Sequence, residues 1–173
     1  EMSQTPEQVF AVMNSADIRF PEITDENGEK VRLTHGNYVL FLQSADRRVR
    51  KEAFQAMYSV YKQFVNTFAG LYNGQVKQQI FFAKARKYDS TLDAALTANN
   101  VSVKVYENLL DTVSANMDKL HRYVKLRKKC LGLDELHMYD IYTPMIADAA
   151  RKVPFEEAKE TVLKALAPLG EEY

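Results

Sequence analysis

The sequence predicts a mainly α-helical fold: a multi-helix, bundle-like lobe with one small β-hairpin near residues 17–34. Three observations carry this expectation. Apolar residues recur every three or four positions over two long stretches, the period of a helix face. Ser, Thr and Asp stand where helices should begin, and Gly stands where the second long stretch should end. At one place only, short runs of alternating polarity flank an Asn-Gly pair, the usual sign of a hairpin.

In chain order, Thr5-Pro6-Glu7-Gln8 reads as a helix start. Thr5 would serve as N-cap, Pro6 suits the first turn, and Gln8 occupies the capping-box position. The short helix that follows carries Val9, Phe10, Val12 and Met13 and should end near Asn14-Ser15. Asp17–Thr24 and Glu29–Thr34 alternate in polarity around a turn at Asp25–Gly28. They read as two short strands, with Pro21 confining the first to an edge. Such a hairpin is marginal alone and must rest on helices; a plain connector between helices is the simpler alternative. Asn37–Gln43 then reads as a short apolar helix.

Ser44 is the expected cap of a long helix starting near Asp46 or Arg47. Val49, Ala53, Met57, Tyr61, Phe64 and Phe68 form one stripe, and Phe54, Tyr58, Val65 and Tyr72 form a second beside it. A helix apolar over this much of its circumference should be sandwiched between neighbours. Gly70 and Gly74 predict a break or kink, after which Val76–Lys87 continues with Ile80, Phe81 and Ala85 inward. Ser90 should cap Thr91–Ala98, closed by Asn99-Asn100. Ser102 should cap one long helix, Val103–Leu131, with Val105, Leu109, Val113, Met117, Leu120 and Val124 as its apolar stripe and Gly132 as its stop. Leu133–Ile146 is irregular, and Pro154 opens a last helix through Leu166.

Composition narrows the function. Lys+Arg and Asp+Glu both number 23, so no basic excess points to nucleic acid or to acidic lipid. Cys130 is the only cysteine, which excludes an internal disulfide and a thiolate zinc site. A packed, inert thiol in a reducing, cytoplasmic setting is the expectation. No apolar run reaches the length of a membrane span. The opening E-M-S-Q-T-P-E-Q shows no signal peptide, and Glu1 ahead of Met2 suggests that the natural start lies elsewhere.

Nucleophile elbows and phosphate-binding glycine loops are absent from the 173 residues. The three histidines, His35, His121 and His137, do not form an H-E-x-x-H pair, in which two imidazoles one turn apart hold zinc. The basic run Arg47-Arg48-Val49-Arg50-Lys51 opposes the dipole at a helix start. Pairing with Asp46, Glu52 and more distant carboxylates is the plain account. In the stretch Met138–Tyr142 and the His137 before it, His137, Tyr139, Asp140 and Tyr142 could line a peptide cleft; equally, Asp140 could cap and Tyr142 could pack.

Several segments, in order, resemble oligoendopeptidase F, a zinc metallopeptidase related to thimet oligopeptidase. They are N-S-A-D-I-R-F-P from Asn14, L-T-H-G from Leu33, S-A-D-R-R-V-R-K-E-A from Ser44, R-K-Y-D-S-T-L-D-A-A from Arg86, Leu120–Pro144 and Glu156–Tyr173. The resemblance implies a large, nearly all-helical, cytoplasmic peptidase with a deep channel for short peptides. It also implies a zinc ion held by H-E-x-x-H and a downstream Glu. Those residues have no counterpart here, so no catalytic or metal-binding residue carries over. The resemblance therefore predicts a single helical lobe over 1–173, an internal fragment of the parent. It would form channel wall, be inactive by itself, bind no zinc, and have the missing catalytic portion and short peptides as partners, with no nucleic acid or membrane. The competing reading is a self-contained helical module that binds a peptide or protein without catalysis.

Overall fold

The computed structural model describes residues 4–146 and 153–170. The described residues form eight α-helices and one two-stranded sheet, the mainly helical class with one hairpin that the sequence predicts, with more helices than the periodicity alone separates. The chain divides into two compact units, Glu1–Thr143 and Pro144–Tyr173.

In the first unit, α1 (Thr5–Val12) runs into a π-turn over Met13–Asp17, closed by the Ile18 amide donating to Met13 O at 2.9 Å. The cap of α1 differs from expectation. Gln4 is the N-cap residue, Thr5 lies inside the helix, and Gln8 Nε2 reaches back to Gln4 Oε1 at 3.5 Å. β1 (Glu22–Thr24) and β2 (Lys30–Arg32) pair antiparallel, with Ile23 opposite Val31. The strands are shorter than the alternation suggests. Ile18 and Phe20 precede β1 and are buried, so packing rather than ladder hydrogen bonds sets their alternation. At the turn, Gly28 takes φ +84, and the Asp25 carboxylate accepts the Asn27 and Glu29 amides at 2.8 Å each. These and other local hydrogen bonds hold the Asp25 carboxyl below its usual range.

α2 (His35–Gln43) starts two residues earlier than expected. Thr34 is its cap: Thr34 Oγ1 accepts the Asn37 amide, and Asn37 Oδ1 accepts the Thr34 amide at 2.7 Å. This reciprocal pair imitates a capping box with Asn at the third position. α3 (Arg47–Gln63) is the organising helix, capped by Asp46, whose carboxylate accepts the Arg48 amide at 2.8 Å. Its inner face (Ala53, Met57, Val60) meets Ile18, Phe20, Ile23 and Leu33 to make the core, and Val49 on the first turn is buried as well. Arg48 clamps the hairpin by donating to Thr24 O and Asp25 O at 2.9 and 2.8 Å.

The helix breaks at Phe64, where φ is −103 and ψ is 12, and resumes as α4 (Val65–Ala85). The glycines expected to break it do not. Gly74 lies where α1 crosses α4, and a Cβ there would sit 3.3 Å from Pro6 Cγ. It is therefore a close-approach glycine. A Cβ on Gly70 would meet nothing within 4 Å. Gly70→Ala is accordingly expected to stabilise the protein by ~0.5–1 kcal/mol, through helix propensity and a less flexible unfolded chain. Urea denaturation reads this as a higher midpoint at unchanged m. On the far half of α4, Ala83 is the inward residue, whereas Ile80, Phe81 and Ala85 are exposed.

α5 (Thr91–Thr97) carries the predicted Ser90 cap, with the Asp93 amide 3.0 Å from Ser90 Oγ. The predicted long helix is two helices, α6 (Val103–Ala115) and α7 (Met117–Cys130), broken at Asn116. Asn116 Nδ2 donates to Thr112 O at 2.7 Å. This is the local competition with the backbone that disfavours Asn inside helices. Gly132 ends α7 at φ +62, as expected. The apolar stripe expected to be buried along these two helices is exposed from Val105 to Val124. Cys130 is exposed too, not packed. A 3₁₀ turn at Met138–Asp140 closes the first unit. The second unit contains α8 (Phe155–Leu166), which starts directly after Pro154, as predicted. No helix among the described residues is long and apolar enough to cross a membrane.

Candidate functional site

The segment 137–143 is held by three arginines. The Asp140 side chain is fully buried. Its carboxylate accepts Arg47 Nε at 3.2 Å and Nη2 at 3.0 Å, Arg50 Nη2 at 2.9 Å and the His137 amide at 3.0 Å. Arg47 and Arg50 lie three residues apart on one face of α3, so a single carboxylate can take both forks. The basic run that opposes the helix dipole thus finds its counter-charges in Asp46, Glu52 and the distant Asp140. Burial alone would raise the Asp140 carboxyl. The bonds from Arg47, the His137 amide and Arg50 outweigh burial and hold it below the ordinary carboxylate range. The same contact raises the Arg47 guanidinium.

Arg127 completes the clamp from α7. It is 5% exposed, donates from Nε to Asp140 O at 3.0 Å, bonds Thr143 O through Nη2, and reaches Tyr123 OH at 3.2 Å. Thr143 Oγ1 donates to Leu42 O at 3.1 Å, tying the segment to the end of α2. Arg50 Nη1 donates to Ser44 O and Ala45 O at 2.8 and 2.9 Å. Loop 44–46, the start of α3, the end of α7 and the 3₁₀ turn therefore meet at one buried charge cluster.

On top of this cluster lies a row of rings. His137 stacks on Tyr139 at 4.9 Å, Tyr139 meets Phe54 at 5.9 Å, and Phe54 meets Tyr58 at 4.6 Å. The row continues through Tyr61 and Phe68 to Phe10. The Arg47 guanidinium lies 5.4 Å from the Tyr139 ring centre. Tyr38 is pushed up to about 12, first by burial and then by the nearby phenols of Tyr58 and Tyr142. Of the four residues singled out from sequence, Tyr139 and Asp140 are buried, whereas His137 and Tyr142 are exposed. Sequence reasoning missed Arg127 and Thr143. Arg127 stands seven residues after Leu120, two turns along the same face. A charge continuing an apolar stripe is the signal that a buried partner exists.

The described residues do not fit a zinc site. Among the described residues no group of three His, Cys, Asp or Glu converges. His137 Nε2 has Glu135 Oε2 at 3.6 Å, while His35 faces Phe20 and Tyr61.

Comparison with known proteins gives consistent matches. The model of peptidase family M3 matches residues 40–169. The chain is 50% identical over 173 residues to oligopeptidase PepF of Bacillus subtilis, covering 100% of this chain and 26% of that protein. It is 45% identical over 166 residues to group B oligopeptidase PepB of Streptococcus agalactiae, covering 96% and 28%. Its fold matches the crystal structure of oligoendopeptidase-F from Enterococcus faecium with a TM-score of 0.84 at 47% identity, covering 100% of this chain and 32% of that one. The chain thus spans about a quarter to a third of the length of these relatives.

Proposed function

Since the chain belongs to peptidase family M3, we propose that it is the helical, channel-wall portion of a longer, cytoplasmic, zinc-dependent oligopeptidase that hydrolyses short peptides. The observation that carries this reading is 50% identity over the whole chain to an oligopeptidase of which it covers 26%. In this reading residues 1–173 form one helical lobe of the parent. The zinc, which would activate water and stabilise an oxyanion, is held by polypeptide outside them, and this stretch alone is inactive.

The part played by these residues is to bind and orient. The ring row above Asp140 is the surface best suited to an extended peptide. Its rings offer apolar area, and the exposed Tyr58, His137 and Tyr142 offer hydrogen-bonding groups that a peptide backbone requires. Tyr139 and Asp140 support that surface from beneath. Tyr139 carries the stacked His137 ring, and Asp140 fixes the His137 amide.

A short quenched-fluorescence peptide tests the reading. The full-length protein containing these residues should cleave it, lose activity to a chelator and regain it with zinc, while the 173-residue chain does nothing. Chelator-sensitive cleavage by the 173-residue chain, or none by the full-length protein, refutes it.

A further inference from the structure

Away from the Asp140 clamp, a cavity of about 190 Å³ opens between the π-turn that follows α1, the end of β2 and the start of α2. Its buried lining is apolar, from Ile18, Phe20 and Leu33. Its remaining lining is rich in donors. Arg19, Arg32 and Ser15 stand there with exposed side chains. Asn14 Oδ1 accepts the Tyr61 hydroxyl at 2.7 Å, which leaves Asn14 Nδ2 as a further donor. The Tyr61 oxygen also lies 3.5 Å from His35 Nε2, and the His35 ring meets Phe20 edge-on at 5.0 Å, so the imidazole is held in the wall.

Acidic residues are missing from this lining. Glu22 stands opposite Arg32 across the strands and Asp17 precedes Arg19 by two positions, yet neither forms an ion pair with them. Elsewhere in the first unit Arg47, Arg48, Arg50 and Arg127 each hold carboxylate or carbonyl oxygens. Among the described residues, the guanidiniums of Arg19 and Arg32 hold none. Two free forks beside hydroxyl and amide donors call for an anion rich in oxygen. A carboxylate brings one charge and about four lone-pair sites, fewer than two guanidiniums can fill. The cavity is also smaller than the ~300–1,000 Å³ typical of sites for larger organic ligands. That size suits a single phosphoryl group.

We propose that this cavity binds a dianionic phosphoryl group, as inorganic phosphate or as the head of a small phosphomonoester, held by the forks of Arg19 and Arg32 with Ser15 and Asn14 completing the shell. The site is built wholly from described residues and works independently of peptide cleavage.

The test treats the full-length protein with phenylglyoxal, which modifies guanidiniums, and reads the rate at each arginine by peptide mass spectrometry. Inorganic phosphate replaces chloride at equal ionic strength, so that general screening is unchanged. Arg19 and Arg32 should react at least fivefold more slowly in phosphate, while the exposed Arg122 of α7, which has no ion pair among the described residues, keeps its rate. In equilibrium dialysis with radiolabelled phosphate, Arg19→Gln and Arg32→Gln should each weaken binding about tenfold, the loss expected for one charged hydrogen-bonding partner. Both side chains are exposed and unpaired, so neither variant should disturb folding. Phosphoserine competing as well as phosphate or better assigns the site to a monoester, and weaker competition assigns it to the free ion. Arginine rates indifferent to phosphate, equal slowing at Arg122, acetate competing as well as phosphate, or binding undiminished in both variants would each overturn the proposal.

Discussion

Asp140→Ala is expected to destabilise the protein by ~3–5 kcal/mol, the usual penalty for removing one partner of a buried ion pair. Two cations depend on Asp140, but unequally. The Arg50 side chain is 4% exposed, whereas that of Arg47 is 40% exposed and can be rehydrated. Most of the penalty should therefore come from Arg50, left charged in the interior with only the Ser44 and Ala45 carbonyls. A double-mutant cycle separates the two. Coupling of Arg50 to Asp140 should exceed that of Arg47 to Asp140, because exposed pairs contribute little. Since ~5–15 kcal/mol is typical of a whole domain, the Ala variant could unfold outright. Asp140→Asn preserves the shape and gives a smaller, measurable loss. A drop below about 1 kcal/mol for Asp140→Ala in urea denaturation would show that the clamp is decorative.

The same carboxylate predicts an acid limb. Its folded pKa lies below the ordinary value of ~3.9 for an unfolded Asp, because the hydrogen bonds it accepts outweigh burial. Its contribution is full above the unfolded pKa and disappears as pH falls through the folded one. Asp140→Asn should flatten that limb and leave the neutral plateau lower.

The fold was legible at several places where a single cap or turn decides, though not at the starts of α1 and α3, where Gln4 and Asp46 take the caps expected of Thr5 and Ser44. Ser90, Gly28 and Gly132 act at their predicted places because a cap or a positive φ is a local requirement. Where partners decide, local reading failed. The chain stays helical through Gly74, a glycine placed where Pro6 comes close, and it breaks at Phe64, whose ring packs on the core. The stripe from Val105 to Val124 has the right period for burial, yet period cannot say whether the cover lies within these residues. At the candidate site the segment 137–142 stood out through its density of Tyr and Asp. The three arginines that hold it lie 13 to 93 positions away in sequence, and only folding brings them together.

Arg127→Ala tests whether that long-range clamp sets the order of the site. The guanidinium bonds two carbonyls, those of the buried residues Asp140 and Thr143. Hydrogen bonds from a charged donor are worth ~1.5–3 kcal/mol each, and the cost of burying the guanidinium offsets part of that, so a loss of about 3 kcal/mol is expected. Arg127→Lys should recover less than half, because an ammonium is a point donor and cannot fork between two carbonyls while also meeting Tyr123. The loss should be local as well as global. Amide exchange should quicken over residues 138–143 more than in the hairpin strands Glu22–Thr24 and Lys30–Arg32, since the first anchors through Arg127 and the hairpin is tied at Thr24 by Arg48 and Glu52. Under the proposed function, loosening His137 and Tyr142 in the full-length protein should raise KM for a short peptide more than it lowers kcat, the mark of lost uniform binding. If lysine restores stability and exchange completely, the geometry of the fork is irrelevant and charge alone holds the segment.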